Sequence, residues 1–153
     1  MRGRLQRSPL LASLPEADLD RLATAARPAR FAAGELLIEP DETERDLIVI
    51  CEGRVEFLLT RDDVTTVTGE AGDGDIVGLH RSTRRDRHAV SVRALTDCEV
   101  VIADAEVAGE IASRSAEVAT ALNRMASIRR RRMERALEPR VIGQLGPSEA
   151  TGE

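Results

Sequence analysis

Three apolar periodicities follow one another along the chain. Residues 10–26, LLASLPEADLDRLATAA, set Leu10, Leu11, Leu14, Leu19, Leu22 and Ala26 near helical spacing, the pattern of a helix with one buried face. Pro15 followed by Glu16 fits a helix start, because proline at the first helical position gives up no needed hydrogen bond and an early acid suits the helix dipole. One amphipathic helix is therefore expected to open the folded domain, after a flexible lead of residues 1–9.

From Pro28 to Ala103 the spacing changes. The short β-prone runs ARFAA, ELLIE, DLIVIC, RVEFLLT, VTTVTGE, DIVG, AVSVRAL and EVVIA are separated by turn residues every eight to twelve positions. Gly34, Gly53, Gly72 and Gly74 supply the turns. Many short strands with even turn spacing predict a mainly β fold, an antiparallel sandwich or jelly-roll barrel. The stretch Asp41 to Asp46, DETERD, is too polar for a strand interior and is expected as a solvated loop.

Past Ala103 helical spacing returns. Glu106 to Ser113 predicts a short helix and Ala116 to Leu137 a long one, with Val118, Leu122, Met125, Ile128, Met133 and Leu137 as an apolar stripe interrupted at Arg129 to Arg132. Val118, Leu122, Met125 and Ile128 are candidates for pairing two copies into a homodimer. Residues 10–137 then form one domain, and the Gly/Pro-rich tail 138–153 is expected to fray.

Composition narrows the function classes. A chain of 153 residues, 42% apolar and 32% charged, buries a core of its own as a globular protein. Its only aromatics are Phe31 and Phe57, so the core is aliphatic and no platform exists for stacking exposed bases. All 22 basic residues are arginine, which excludes lysine chemistry and with it a Walker P-loop around GEAGDGDIVG. A net charge of −5 argues against a general polyanion binder. Cys51 and Cys98 lie in β-branched runs and are expected as buried free thiols in a reducing compartment. No apolar run has signal-peptide or membrane-spanning length, so a cytoplasmic location is expected.

The order of these pieces, with LLASLPEADLDRLATAARPARFAAGELL at 10–37, DLIVICEGRVE at 46–56, GDIVG at 74–78 and VRALTDCEVVIAD at 92–104, resembles the cyclic-nucleotide-binding domain of the catabolite-activator and protein-kinase-regulatory superfamily. The resemblance implies a β jelly roll flanked by an N-terminal helix and a long C-terminal helix. It also implies a ligand, cAMP or cGMP, held in a phosphate-binding cassette. The family cassette reads F-G-E, a short helix, then P-R-[S/T/A]-A before a strand. Its Glu accepts from the ribose 2′-hydroxyl, and its Arg with nearby N–H groups holds the cyclic phosphate.

Here the cassette is VGLHRSTRRDRHAVSV, residues 77–92. Aligned on Gly78 and on VRALTDCEV, Leu79 takes the Glu position, His88 the Arg position, and Ala89 the small residue after it. Leucine offers a ribose hydroxyl no partner, and histidine is shorter than arginine and cannot form its fork. A slip of one residue would give the phosphate to Arg87, beside Arg81, Arg84 and Arg85. Gly78, Leu79, Arg87, His88 and Ala89 are thus the candidate ligand residues. The leading expectation is a non-enzymatic regulatory or interaction module with an unidentified protein partner, not binding cAMP in the standard way. The alternative is a sensor of a cyclic nucleotide or another anion through Arg87 and His88.

Other chemistry is weaker. His80, Asp86 and His88 lack a metal-ligand spacing, and Ser82, Asp86 and His88 lack a nucleophile turn. Arg129 to Arg132 fits contacts to DNA phosphates or an acidic partner as well as it fits a solvated helix face. Transcription factors of the superfamily carry a helix-turn-helix after the long helix, whereas sixteen residues follow Leu137. A nucleic-acid partner is therefore not expected, and a DNA-associated regulator without its own helix-turn-helix stands third.

Overall fold

A computed structural model of the chain describes residues 1–39, 46–78 and 89–137. Three short helices come first, α1 (Arg2–Leu5), α2 (Pro9–Ala12) and α3 (Glu16–Thr24). Eight strands follow: β1 (Ala26–Phe31), β2 (Leu36–Ile38), β3 (Leu47–Glu52), β4 (Val55–Arg61), β5 (Val64–Ala71), β6 (Ile76–Gly78), β7 (Ala89–Ala94) and β8 (Cys98–Ala103). Helices α4 (Ala105–Arg114) and α5 (Ala116–Leu137) close the described chain.

The single opening helix expected over 10–26 is instead two. Ser8 caps α2 by accepting from the Leu11 N–H at 3.4 Å, with Pro9 in its first turn. Pro15 then stands as the N-cap of α3, since its ring and missing N–H bar it from the middle of a continuous helix. Residues 1–9, expected as a flexible lead, contain α1 and bury Leu5 completely. That leucine lay outside the periodic stretch and gave no local sign of its burial. The DETERD loop up to residue 45 and the tail 138–153 lie outside the described residues.

The strands form two four-stranded antiparallel sheets, β1-β8-β3-β6 and β2-β7-β4-β5. This is the strand order of a jelly roll, built as two facing sheets with no closed barrel among the described residues. A two-residue turn joins β4 to β5 with Asp62 at φ 53° and Asp63 at φ 64°, the left-handed pair that matches strand twist in tight hairpins.

Alternation along β3 shows how one strand serves two cores. Leu47, Val49 and Cys51 join a cluster with Leu5, Leu19, Leu22 and Ile111 of the helices. Ile48 and Ile50 join Val55, Phe57, Val92 and Val100 in the other cluster, built from strand residues of both sheets. Both faces are covered, which is why LIVIC reads as a continuous apolar run. Among the described residues no helix is long and apolar enough to cross a membrane.

Candidate functional site

The ten-residue insert 79–88 leaves one sheet and returns on the other. Gly78 ends β6 opposite Leu47 of β3, and Ala89 opens β7 opposite Thr60 of β4. Leu79, Arg87 and His88 lie within that insert, outside the described residues. Gly78 and Ala89 are therefore the two candidate ligand residues whose backbone the structure positions, and they bracket the insert from opposite sheets.

Gly78 has φ +89°, a conformation that side chains rarely adopt. A Cβ there would collide with the backbone carbonyl of Asp46. The same Asp46 extends its carboxylate to the first turn of α4, where Oδ1 accepts from the Ala105 N–H at 3.1 Å. Asp104 caps the next two donors, Oδ1 accepting from Glu106 N–H at 2.8 Å and Val107 N–H at 3.1 Å. Two carboxylates thus satisfy three of the four N–H groups that a helix start leaves open. Asp46 was legible in the sequence only as the end of a polar loop.

The return strand is fixed by a half-buried ion pair. Glu56 on β4 is 7% exposed and sits opposite Arg93 on β7. Arg93 donates from Nε at 2.8 Å and from Nη2 at 2.5 Å to Glu56 Oε2. One position along, Val92 faces Phe57 in the inter-sheet core.

Of the residues expected to pair two copies, Val118 is buried in this chain's own helix-facing core and Leu122 packs against it. Ile128 is 43% exposed. Met125 lies on α5 between them, its side chain outside the described set. The stripe turns inward at its start because Ser115 caps α5, accepting from the Val118 N–H at 3.2 Å, and because α4 packs on α3. Arg21 pairs with Glu110 at 2.5 Å and Arg114 with Asp18 at 3.2 Å across that helical junction. Farther along, α5 crosses β5: a Cβ on Gly69 would meet Arg132 Nη1 at 3.2 Å and the Phe57 ring at 3.6 Å. Arg132 therefore reaches the β4–β5 surface, a placement that a run of four arginines does not reveal.

Away from the insert, a cleft of about 380 Å³ lies between α1 and the ends of β3 and β8, lined by Arg4, Arg7, Cys51, Glu52 and Glu99. Glu52 stands directly opposite Glu99 because a bulge at Cys51 shifts the register. The Cys51 thiol at this cleft is pushed up from its ordinary pKa by burial, an effect that Arg7 and Arg4 only partly offset. Cys98 is likewise raised by burial, and both cysteines are free. A protonated buried thiol is a poor nucleophile. Among the described residues no group of three metal-ligating side chains converges.

Comparison with known proteins places this geometry. The family model described as "Cyclic nucleotide-binding domain" matches residues 28–115. Among solved structures, the chain is similar to a protein assigned to the Crp/Fnr family of transcriptional regulators from Eubacterium rectale, at 20% identity and TM-score 0.75, over 92% of this chain and 66% of that one. It is similar to the regulatory subunit of a cAMP-independent protein kinase A from Trypanosoma cruzi bound to guanosine, at 25% identity and TM-score 0.67, over 82% and 44%. It is also similar to the catabolite activator protein of Thermus thermophilus, at 19% identity and TM-score 0.62, over 85% and 62%. The chain spans between under half and about two thirds of these proteins. No curated protein gives a match.

Proposed function

The chain belongs to the cyclic nucleotide-binding domain family, and from that premise we propose that it is a non-enzymatic regulatory module that does not take cAMP in the usual pose. The observation that carries this reading is the pair of changed readers in the cassette, Leu79 and His88. A ribose hydroxyl set against Leu79 loses its acceptor, at a cost of about 1–3 kcal/mol when desolvated. A phosphate set against His88 loses the two-pronged contact that only a guanidinium provides. Losses of that size weaken binding by several powers of ten.

A second reading has support of its own. Arg81, Arg84, Arg85 and Arg87 crowd the same insert, and the T. cruzi relative is bound to guanosine, a nucleoside without a phosphate. A nucleoside or an anion held through Arg87 and His88 makes the module a sensor. Calorimetric titration with cAMP, cGMP and guanosine separates the two. The proposed reading expects no saturable heat from either cyclic nucleotide. Micromolar binding that disappears in Arg87→Ala or His88→Ala overturns it in favour of the sensor.

A further inference from the structure

Most described arginines outside α5 stand in ion pairs, Arg4, Arg7 and Arg27 being the exceptions. Arg2 pairs with Asp20, Arg21 with Glu110, Arg30 with Glu99, Arg54 with Glu70, Arg93 with Glu56 and Arg114 with Asp18. On α5 the pattern stops. Arg124, Arg131 and Arg135 are exposed and pair with no acid among the described residues. The helix carries six arginines against two glutamates, a net of +4 in a chain whose total is −5, so the remainder carries −9.

These three arginines are not scattered around the helix. At about 100° per residue, Arg124, Ile128, Arg131 and Arg135 fall within a sector of about 60° and run along about 16 Å of its length. Val118 and Leu122 point the other way, into the core. An exposed isoleucine therefore sits midway in a straight cationic row, on the face of α5 that its own domain does not use.

We infer that this row is a docking strip for an acidic amphipathic helix of a partner protein, an inference that rests on the regulatory-module reading and specifies its partner. An apolar residue of the incoming helix covers Ile128, and carboxylates three or four positions to either side meet Arg124, Arg131 and Arg135, as flanking charges do in helix pairs. A second copy of this chain does not fit the same strip. Parallel pairing about a two-fold axis sets Arg124, Arg131 and Arg135 against their own counterparts, and like charges in register oppose association. A long polyanion such as duplex DNA fits poorly as well, because it extends past the strip onto a body of charge −9.

The test uses the full chain and a synthetic alanine-based helical peptide of about 20 residues. The peptide carries one leucine, with glutamates placed three and four positions to either side of it, and binding is followed by fluorescence anisotropy at low salt. The expected result is saturable binding that weakens at least about tenfold in the triple variant Arg124→Ala/Arg131→Ala/Arg135→Ala, and again when the peptide glutamates become glutamine. The three positions are solvent-exposed, so the variant keeps its fold, and circular dichroism checks that. Absence of binding, or binding indifferent to both changes, overturns the inference. Tighter binding of a duplex oligonucleotide through the same arginines assigns the strip to nucleic acid and overturns it too. A concentration-dependent dimer that excludes the peptide and dissociates in Ile128→Ser assigns the strip to a second copy, with the same consequence. The nucleotide titration is read separately: cAMP binding there removes the proposed function, while the peptide alone decides the strip.

Discussion

The backbone carbonyl of Asp46 occupies the space that a Cβ on Gly78 would need. From the same residue the carboxylate reaches the Ala105 N–H at the start of α4. The end of β6 and the start of α4 therefore share one anchor. A displacement of Gly78 bears directly on a residue that also holds the start of α4.

Gly78→Ala combines an unfavourable φ with a backbone collision and is expected to destabilise the fold by about 2–4 kcal/mol. Gly34 is a matched control: its φ is +94°, yet nothing lies within 4 Å of an added Cβ. Gly34→Ala therefore carries only the backbone strain, about 1–2 kcal/mol. Urea unfolding of the two variants measures the difference. Equal losses would show that Asp46 yields freely and is not a rigid anchor.

Asp46→Ala removes the acceptor at Ala105 and is expected to lower stability by about 0.5–1.5 kcal/mol. The local sign is faster hydrogen exchange at the Ala105 amide, with the Glu106 and Val107 amides still protected by Asp104. Asp46→Asn keeps an acceptor oxygen and should recover most of the loss. If the Ala105 amide exchanges at its original rate in Asp46→Ala, the carboxylate is not what holds it.

The Glu56–Arg93 pair should respond asymmetrically. Arg93→Ala leaves a carboxylate buried without its partner, at about 2–4 kcal/mol. Glu56→Gln keeps the side chain's volume and a neutral acceptor, and Arg93 is exposed enough, 44% in its side chain, to take its remaining solvation from water. A loss of about 1 kcal/mol is expected there. Thermal unfolding of both variants reads the ordering, and the reverse ordering contradicts it.

The cysteines predict a pH effect. Burial raises both thiols above their ordinary value, so the folded chain holds those protons where the unfolded chain has released them. Their contribution to stability is complete at neutral pH and is lost as pH rises from the ordinary thiol value through the raised one. Denaturant midpoints measured across the alkaline range should fall more steeply in the native chain than in Cys51→Ala/Cys98→Ala. Modification by a thiol reagent at neutral pH should be slow until denaturant is added.

Much of the architecture could be read from the chain. Eight β-prone runs correspond to eight strands, and Ala116–Leu137 is helical over the expected residues. Local periodicity records which positions face away from water, and strands covered on both sides announce themselves as continuous apolar runs. The resemblance carried by GDIVG and VRALTDCEV implies a cassette over 77–92 with Leu79 and His88 at its reading positions, two residues that lie outside the described set. The helix start expected at Pro15–Glu16 is where α3 begins, whereas Leu10 and Leu11 belong to a separate helix, α2, because helical backbone does not continue through Pro15. Leu5 was missed because one leucine in a basic stretch carries no period.

The residues alone specify the inventory: an aliphatic, lysine-free chain patterned for a jelly roll and ending in a basic helix. Tertiary structure decided what those residues do to one another. Only strand order brings the end of β3, the end of β6 and the start of α4 to one junction, and only there does Asp46 acquire two contacts. Only the docking of α5 on its own domain separates Val118 and Leu122, which face the core, from Arg124, Ile128, Arg131 and Arg135, which face outward. Spacing along a helix fixes which residues share a face, but what covers that face is settled by segments distant in the chain.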